Sequence, residues 1–226
     1  MPKAFSSEVD TGSRQENASN RESRAPFRFN RNGNSSSETK LWLIRHAPVD
    51  GPRGVIHGPD APADVSNAEA FAALKTRLPP GARAVCSPAR RTRETALALG
   101  LDPVEEPAFR EQDFGAWTGR RHDDLTSELG TAYQAFWKSP AGNRPPDGES
   151  FVDQIARARQ GLARLPTGEA ILVVHSGTIR AVLAIALDLA PDNALRFVID
   201  PLSLTRIDRL DGGWRVAAVN QRWWLT

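Results

Sequence analysis

Short apolar runs alternate with amphipathic stretches along most of the chain. Runs of four to six mostly apolar residues predict buried strands, and the fully apolar run at 170–174 is typical of a central parallel strand. Apolar positions that recur at helical spacing predict helices between these runs. The predicted strands are 41–44, 82–86, 170–174, 203–208 and 214–219, and the predicted helices are 67–78, 88–99, 132–138, 151–165 and 178–189.

Local start and stop signals set the ends of these elements. Ser66 and Glu69 have the spacing of a capping box at the start of the first helix. Ser87 precedes a proline, which predicts a second helix that Ser87 caps and the proline begins. Ser150 is expected to cap the long helix that follows it. The Asp-Gly-Gly sequence at 211–213 separates two predicted strands and indicates a terminal β-hairpin.

The order of the elements predicts an α/β fold. Strands that alternate with helices build a sheet that helices cover on both faces. We therefore expect a three-layer α/β/α sandwich with a mostly parallel central sheet over residues 40–226. Residues 1–39 are rich in Ser, Asn, Arg and Glu. Because they have little apolar surface to offset the entropy lost on ordering, they predict a disordered N-terminal tail.

Charge and cysteine content narrow the classes of partner and compartment. The 226 residues include 29 basic and 27 acidic side chains, and the excess lies within residues 1–40. The neutral remainder argues against a broad nucleic-acid-binding face, and the longest apolar run is too short to span a membrane. No apolar signal core is seen at the N-terminus, and Cys86 is the only cysteine. We therefore expect a cytoplasmic protein, while the sequence leaves its oligomeric state open.

Basic and imidazole side chains follow three of the predicted strands. Arg45 and His46 end the first strand, and His175 follows the fully apolar strand. Arg90 and Arg91 lie just after the strand that ends at residue 86. Ligands of open α/β sheets bind beyond the carboxyl ends of the strands. The sequence therefore predicts that two histidines and at least two arginines meet at one edge of the sheet.

Such a cluster has the chemistry of a phosphoryl-transfer site. Guanidinium groups match phosphate oxygens two at a time, and helix N-termini add backbone donors. A neutral imidazole is a competent nucleophile toward phosphorus, and a carboxylic acid must then protonate the leaving oxygen. Glu111 and Asp113 lie in a turn-rich stretch that could supply that acid. Because the pocket supplies its own positive charge, we expect no metal and no cofactor, and a small phosphorylated metabolite as partner.

Five elements in this order resemble the histidine phosphatase superfamily, also called phosphoglycerate mutase-like. The elements contain an Arg-His pair, a Ser-Pro-x-x-Arg pattern, a Glu-x-x-Phe-Gly pattern, a Gly-Glu-Ser tripeptide and a His-Ser-Gly tripeptide. They lie at 41–47, 87–96, 111–119, 148–150 and 174–180. Each element alone is a weak signal, whereas all five in order are specific.

The resemblance implies a role for each matching residue. His46 would be the nucleophile that becomes phosphorylated. Glu111 would protonate the leaving oxygen and then activate water, although the residues alone leave Asp113 open for this role. The spacing of the Ser-Pro-x-x-Arg element selects Arg91 over Arg90. The residues implied to bind the phosphoryl group are Arg45, Arg91, His175, Ser176 and Gly177.

The sequence also departs from the family pattern. Ala47 stands where glycine usually follows the first histidine, Ser176 replaces the glycine after the second, and Pro201 stands where many members carry asparagine. We expect a metal-independent phosphatase that hydrolyses a small phosphomonoester through a phosphohistidine. The alternatives are a cofactor-dependent phosphoglycerate mutase and an inert phosphate-binding or interaction module. The substrate stays open between α-ribazole phosphate, a sugar phosphate and others.

Other conspicuous side chains have structural interpretations. A cysteine-based phosphatase loop needs five residues between the cysteine and the arginine, and Arg91 lies one position too close to Cys86. Cys86 is therefore expected to end a buried strand. Trp117 is expected to pack beneath the turn-rich stretch. Trp223 and Trp224 are expected to cover an edge of the sheet.

Overall fold

A computed structural model describes residues 38–223 as a sheet with helices on both sides. The predicted tail at 1–39 lies outside the described residues except for its last two, and Thr39 already belongs to the first strand. Trp224 also lies outside them. The strands are β1 (Thr39–Arg45), β2 (Arg83–Cys86), β3 (Val104–Glu105), β4 (Gly168–Val174), β5 (Leu204–Leu210) and β6 (Gly213–Gln221).

The strand order in the sheet is β3-β2-β4-β1-β5-β6. The first four strands of this order run parallel, and β5 and β6 are antiparallel to their neighbours. Arg45 pairs with Val174 in the register of β1 and β4, so these two central strands end side by side. The mostly parallel sheet and the terminal hairpin are confirmed.

Seven α-helices are found in the described part of the chain. They are α1 (Ala68–Lys75), α2 (Arg90–Ala98), α3 (His122–Leu129), α4 (Thr131–Lys138), α5 (Phe151–Arg164), α6 (Ser176–Leu187) and α7 (Pro191–Ala194). Two short 3₁₀ helices cover Pro107–Phe109 and Gly115–Trp117. Residues 38–223 contain no helix that is long and apolar enough to cross a membrane.

The two faces of the sheet build two separate hydrophobic clusters. Successive side chains of a strand point to opposite faces. Leu43 of β1 and Leu172 of β4 pack in a cluster with α5 and α6, whereas Ile44 and Val173 pack in a cluster with α1 and α2. Because both clusters are fully buried at these positions, the sheet is the middle layer of an α/β/α sandwich.

Two predicted helix caps are wrong, and both errors have a local cause. Asn67, not Ser66, caps α1, because the Asn67 side chain accepts the Ala70 N–H at 3.0 Å while the Ser66 hydroxyl donates to Asp64. The helix predicted at 88–99 begins at Arg90, and its N-cap Ala89 has no capping side chain. Ser87 therefore does not cap this helix.

Some elements escape prediction because their sequences lack a pattern. Helix α3 contains only Leu125 and Leu129 as apolar residues, and only Leu125 is fully buried. Strand β3 has two residues, both exposed. The cap at Ser150, by contrast, is confirmed, and Asp153 extends it to a capping box. Trp117 packs as predicted, edge-to-face against Tyr133 at 5.0 Å between ring centroids.

Candidate active site

Three strand ends bring two histidines and a serine together. His46 follows β1, His175 follows β4 and Ser87 follows β2. The His46 N–H donates to the carbonyl of Val174 at 2.9 Å, which ties the first two ends to each other. The rings of His46 and His175 lie 5.1 Å apart between centroids, at 68° to one another. Only 5% of His46 and none of His175 is exposed.

Hydrogen bonds fix the tautomer of the His46 ring. Its Nδ1 lies 2.6 Å from the Ala47 carbonyl oxygen, which can only accept, so Nδ1 carries the proton. Nε2 is then unprotonated and accepts from Nε of Arg91 at 3.2 Å. The Ala47 N–H donates to the Thr95 hydroxyl at 3.0 Å, and the Ala47 methyl is buried. Alanine in place of glycine therefore fits this position.

Burial keeps both imidazoles neutral. It is the main reason why the pKa of His46 lies well below its ordinary value, and the neighbouring His175 and Arg91 lower that pKa further. Burial also lowers the pKa of His175 strongly, assisted by the charges of Arg91 and Arg45. At neutral pH Nε2 of His46 therefore carries a lone pair rather than a proton, and this lone pair accepts from Arg91.

The lowered pKa values make stability depend on pH. Between its folded pKa and the ordinary value near 6.5, each histidine binds more protons in the unfolded chain, so stability falls as the pH falls. Each of the two histidines therefore contributes to a loss of stability as the pH falls below the ordinary value. We expect a smaller loss for His46→Asn than for the wild type in denaturant titrations at about pH 7 and about pH 5. Equal losses in both proteins would contradict the buried neutral state.

Two arginines flank the histidines, Arg91 with a buried side chain and Arg45 with a partly buried one. Arg45 donates from Nη1 to the carbonyl of Ile199 at 2.6 Å, and Arg91 donates from Nη1 to the carbonyl of Gly58 at 2.7 Å. Burial lowers the pKa of both groups, and the negative charge of Glu111 opposes this shift. Nε of Arg45 is buried and has no partner within residues 38–223. Arg90 lies on the exposed face of α2, paired with Glu94 at 2.7 Å, so Arg91 alone of these two faces the site.

The carboxylate of Glu111 is held at the N-terminus of α6. Its Oε2 accepts the Gly177 N–H at 3.2 Å, and its Oε1 accepts from Nε2 of Gln154 at 3.0 Å. Asp113 instead accepts the Gly115 N–H within its own turn at 2.8 Å. The structure therefore places Glu111, and not Asp113, beside the segment that carries His175.

Side chains that the sequence did not single out hold the loop of Glu111. Gln154 is fully buried on α5 and also donates to the Arg110 carbonyl at 3.2 Å. Arg157 of α5 donates to the Ala108 carbonyl at 2.8 Å and pairs with Glu149 of the Gly-Glu-Ser tripeptide. The sequence does contain a signal for this role, because Gln154 is a polar residue on the apolar face of the predicted helix.

Arg180 is a further basic residue near this site that received no predicted role. It lies one turn along α6 from Gly177, and its Nε donates to the Phe197 carbonyl at 2.9 Å. Burial lowers the pKa of Arg180, and the charge of Glu111 opposes this shift. Arg180 therefore adds positive charge on the side of the site where Glu111 lies.

Gly177 leaves the space that the Glu111 carboxylate occupies. A Cβ added at Gly177 would collide with Oε1 of Glu111 and lie 2.8 Å from Oε1 of Gln154. We expect Gly177→Ala to displace the carboxylate and lower kcat by about 10²-fold. Gly142→Ala is the matched control, because an added Cβ meets nothing within 4 Å there. Steady-state kinetics on both variants, with thermal melts to verify folding, test this, and equal rates would contradict it.

Other conspicuous side chains lie outside the cluster. Cys86 is buried, and burial raises the pKa of its thiol to about 11, so it stays protonated rather than nucleophilic. His122 of α3 hydrogen-bonds to Tyr133. Trp223 packs against the cluster of α1 and α2, with Arg77 over its ring. Within the described residues, no group of three or more His, Cys, Asp and Glu side chains is arranged to hold a metal ion.

Known proteins resemble this chain in sequence. A sequence model of the histidine phosphatase superfamily (branch 1) matches residues 41–222. The bifunctional protein Rv2228c of Mycobacterium tuberculosis is 33% identical over 153 residues, which are 64% of this chain but only 42% of that protein. The chain thus spans less than half the length of that relative. The adenosylcobalamin/alpha-ribazole phosphatase of Salmonella typhimurium is 26% identical over 196 residues, covering 81% of this chain and 96% of that enzyme.

A solved structure has the same fold. The mycobacterial glucosyl-3-phosphoglycerate phosphatase superposes with a TM-score of 0.69 at 27% identity, covering 81% of this chain and 99% of that one. The fold shared with this phosphatase and the family match over residues 41–222 therefore point to the same family. The chain belongs to the histidine phosphatase superfamily, branch 1.

Proposed function

We propose that the protein hydrolyses small phosphomonoesters through a phosphohistidine at His46. The observation that carries this proposal is the state of the His46 ring. Its Nδ1 proton is engaged by the Ala47 carbonyl, and its unprotonated Nε2 faces Arg91, beside a second buried histidine. A neutral imidazole held in this way is ready to attack phosphorus without first losing a proton.

In the first half of the reaction, Nε2 of His46 forms a bond to phosphorus as the ester P–O bond breaks. The leaving oxygen takes a proton from the carboxyl group of Glu111, which releases an alcohol. Glu111 suits this role because the Gly177 N–H and Gln154 hold its carboxyl group beside the His175 segment. The product is a phosphorylated His46 and a Glu111 carboxylate.

In the second half, water attacks the phosphorus of the phosphohistidine. The Glu111 carboxylate takes a proton from that water, the P–N bond breaks, and inorganic phosphate leaves. His46 and protonated Glu111 are thereby restored. The same carboxyl group acts first as acid and then as base, as reversal of the proton transfer requires.

Charge stabilisation comes from groups that are fixed before the substrate binds. Arg45 and Arg91 are anchored to backbone carbonyls, so their remaining N–H groups meet the phosphoryl oxygens with little reorganisation. Ser176 and Gly177 begin α6, whose N-terminal backbone favours a negative charge. Preorganised donors of this kind supply a large part of the rate acceleration in phosphoryl transfer.

The experiment is phosphate release from a panel of phosphomonoesters, including α-ribazole phosphate and sugar phosphates, with and without a chelator. The two phosphatases named above support this choice of substrates. Equal turnover with chelator present is the expected result. Interconversion of phosphoglycerates with a 2,3-bisphosphoglycerate primer would favour the mutase, and no turnover on any ester would favour the inert binding module. The cytoplasmic location remains a prediction.

A further inference from the structure

We propose that Ser87 is a positioning residue that fixes the tautomer of His175, so that His175 donates a hydrogen bond to the phosphoryl group. This inference rests on the proposed function. Ser87 is fully buried directly after β2, and its hydroxyl oxygen lies 2.8 Å from Nε2 of His175. The Ala89 N–H donates to the same oxygen at 3.3 Å.

Only one placement of the protons gives the Ser87 hydroxyl both a donor and an acceptor. Its oxygen already accepts from Ala89, and Nε2 of His175 is the acceptor available to its proton in the described part of the chain. If Nε2 carried a hydrogen and donated to Ser87, the hydroxyl proton would be buried without an acceptor, which is costly. Ser87 therefore donates to Nε2, and the proton of the neutral His175 ring sits on Nδ1.

That Nδ1 is an unused donor of the site, as is Nε of Arg45. It is buried and has no hydrogen-bond partner within residues 38–223. The ring lies 5.1 Å from the ring of His46, and the charges of Arg91 and Arg45 act on it. A phosphoryl oxygen supplies the acceptor that Nδ1–H lacks. In the other tautomer, Nδ1 would present a lone pair to an anionic oxygen and repel it.

This role explains why Ser87 does not cap the helix that follows it. A serine before a proline is a strong capping signal, yet α2 begins three residues later, at Arg90. The hydroxyl is directed to His175 across the sheet, 88 residues away in sequence. The serine of the Ser-Pro-x-x-Arg element therefore hydrogen-bonds to His175. Arg91 of the same element hydrogen-bonds to His46.

The experiment compares Ser87→Ala, Ser87→Thr and Ser203→Ala. Ser203→Ala is the matched control, because Ser203 is also fully buried and its hydroxyl has no partner in the described residues. We expect Ser87→Ala to lower kcat/KM and the affinity for inorganic phosphate about 10–100-fold, since a donor to the phosphoryl group is lost. Ser87→Thr keeps the hydroxyl and is expected to restore most of both, and Ser203→Ala to change neither.

The decisive readout is ¹⁵N NMR of the histidine rings, which reports the protonated nitrogen directly. The wild type is expected to show His175 protonated at Nδ1, and Ser87→Ala to gain the Nε2-protonated form. A wild-type ring protonated at Nε2 would overturn the inference even if Ser87→Ala does not fold. If Ser87→Ala changes the tautomer but the wild type has no phosphatase activity, the proposed function would be contradicted while the role of Ser87 in fixing the tautomer would be supported.

Discussion

His46→Ala is expected to abolish phosphomonoester hydrolysis, with a fall in kcat of at least about 10⁴-fold. The reason is that the unprotonated Nε2 of His46 faces Arg91, whereas Nε2 of His175 is engaged by the Ser87 hydroxyl. Loss of a covalent nucleophile leaves only the charge stabilisation of the site, which accelerates the reaction far less. Steady-state phosphate release measures the effect.

The control for this variant is His122→Ala. His122 is a partly buried histidine of α3 that hydrogen-bonds to Tyr133 and lies outside the cluster. Its removal is expected to change kcat less than about twofold, as is typical of positions away from the chemistry. If His46→Ala kept wild-type turnover while folding normally, the nucleophile would have to be another group.

Glu111→Gln is expected to lower kcat by about 10²–10⁴-fold on alkyl phosphates, the range that general acid catalysis supplies. The amide keeps the size of the side chain but has no proton to transfer. The loss should be much smaller on an activated aryl phosphate, because that leaving group departs with little protonation. Comparing the two substrates separates loss of the acid from a general loss of structure.

Asp113→Asn is the matched control for the acid. Asp113 is a neighbouring carboxylate that accepts the Gly115 N–H within its own turn. We expect this variant to keep near-normal kcat with both classes of ester. A larger loss for Asp113→Asn than for Glu111→Gln on alkyl phosphates would show that the acid has been assigned to the wrong residue.

Local sequence was enough to predict which residues end the central strands. The apolar runs at 41–44 and 170–174 define β1 and β4, and the residues after them are His46 and His175. Their adjacency is not a local property. It depends on β1 and β4 pairing across more than 120 residues, with Arg45 opposite Val174. The rule that ligands of open α/β sheets bind beyond the carboxyl ends of the strands predicted that the two histidines lie together. The pattern of apolar positions along the chain did not.

The contacts that position the side chains could not be predicted. Gln154 reaches Glu111 across 43 residues, and Gly177 meets it across 66. Such contacts depend on how α5, α6 and the loop of Glu111 pack, which single-residue preferences do not encode. The contact of the Ser87 hydroxyl could not be predicted either. Its local preference is to cap a helix, but in the structure it forms a tertiary hydrogen bond with His175 instead.

The covalent intermediate gives the most direct test of the central claim. Glu111→Gln should slow attack of water on the phosphohistidine, so the intermediate should accumulate when this variant is mixed with an activated aryl phosphate. Quenching in alkali, followed by peptide mass spectrometry, should find one phosphoryl group on His46. The same experiment on the double variant with His46→Ala should find none. Turnover of the ester with no phosphorylated peptide, or with the phosphoryl group on another residue, would contradict the account.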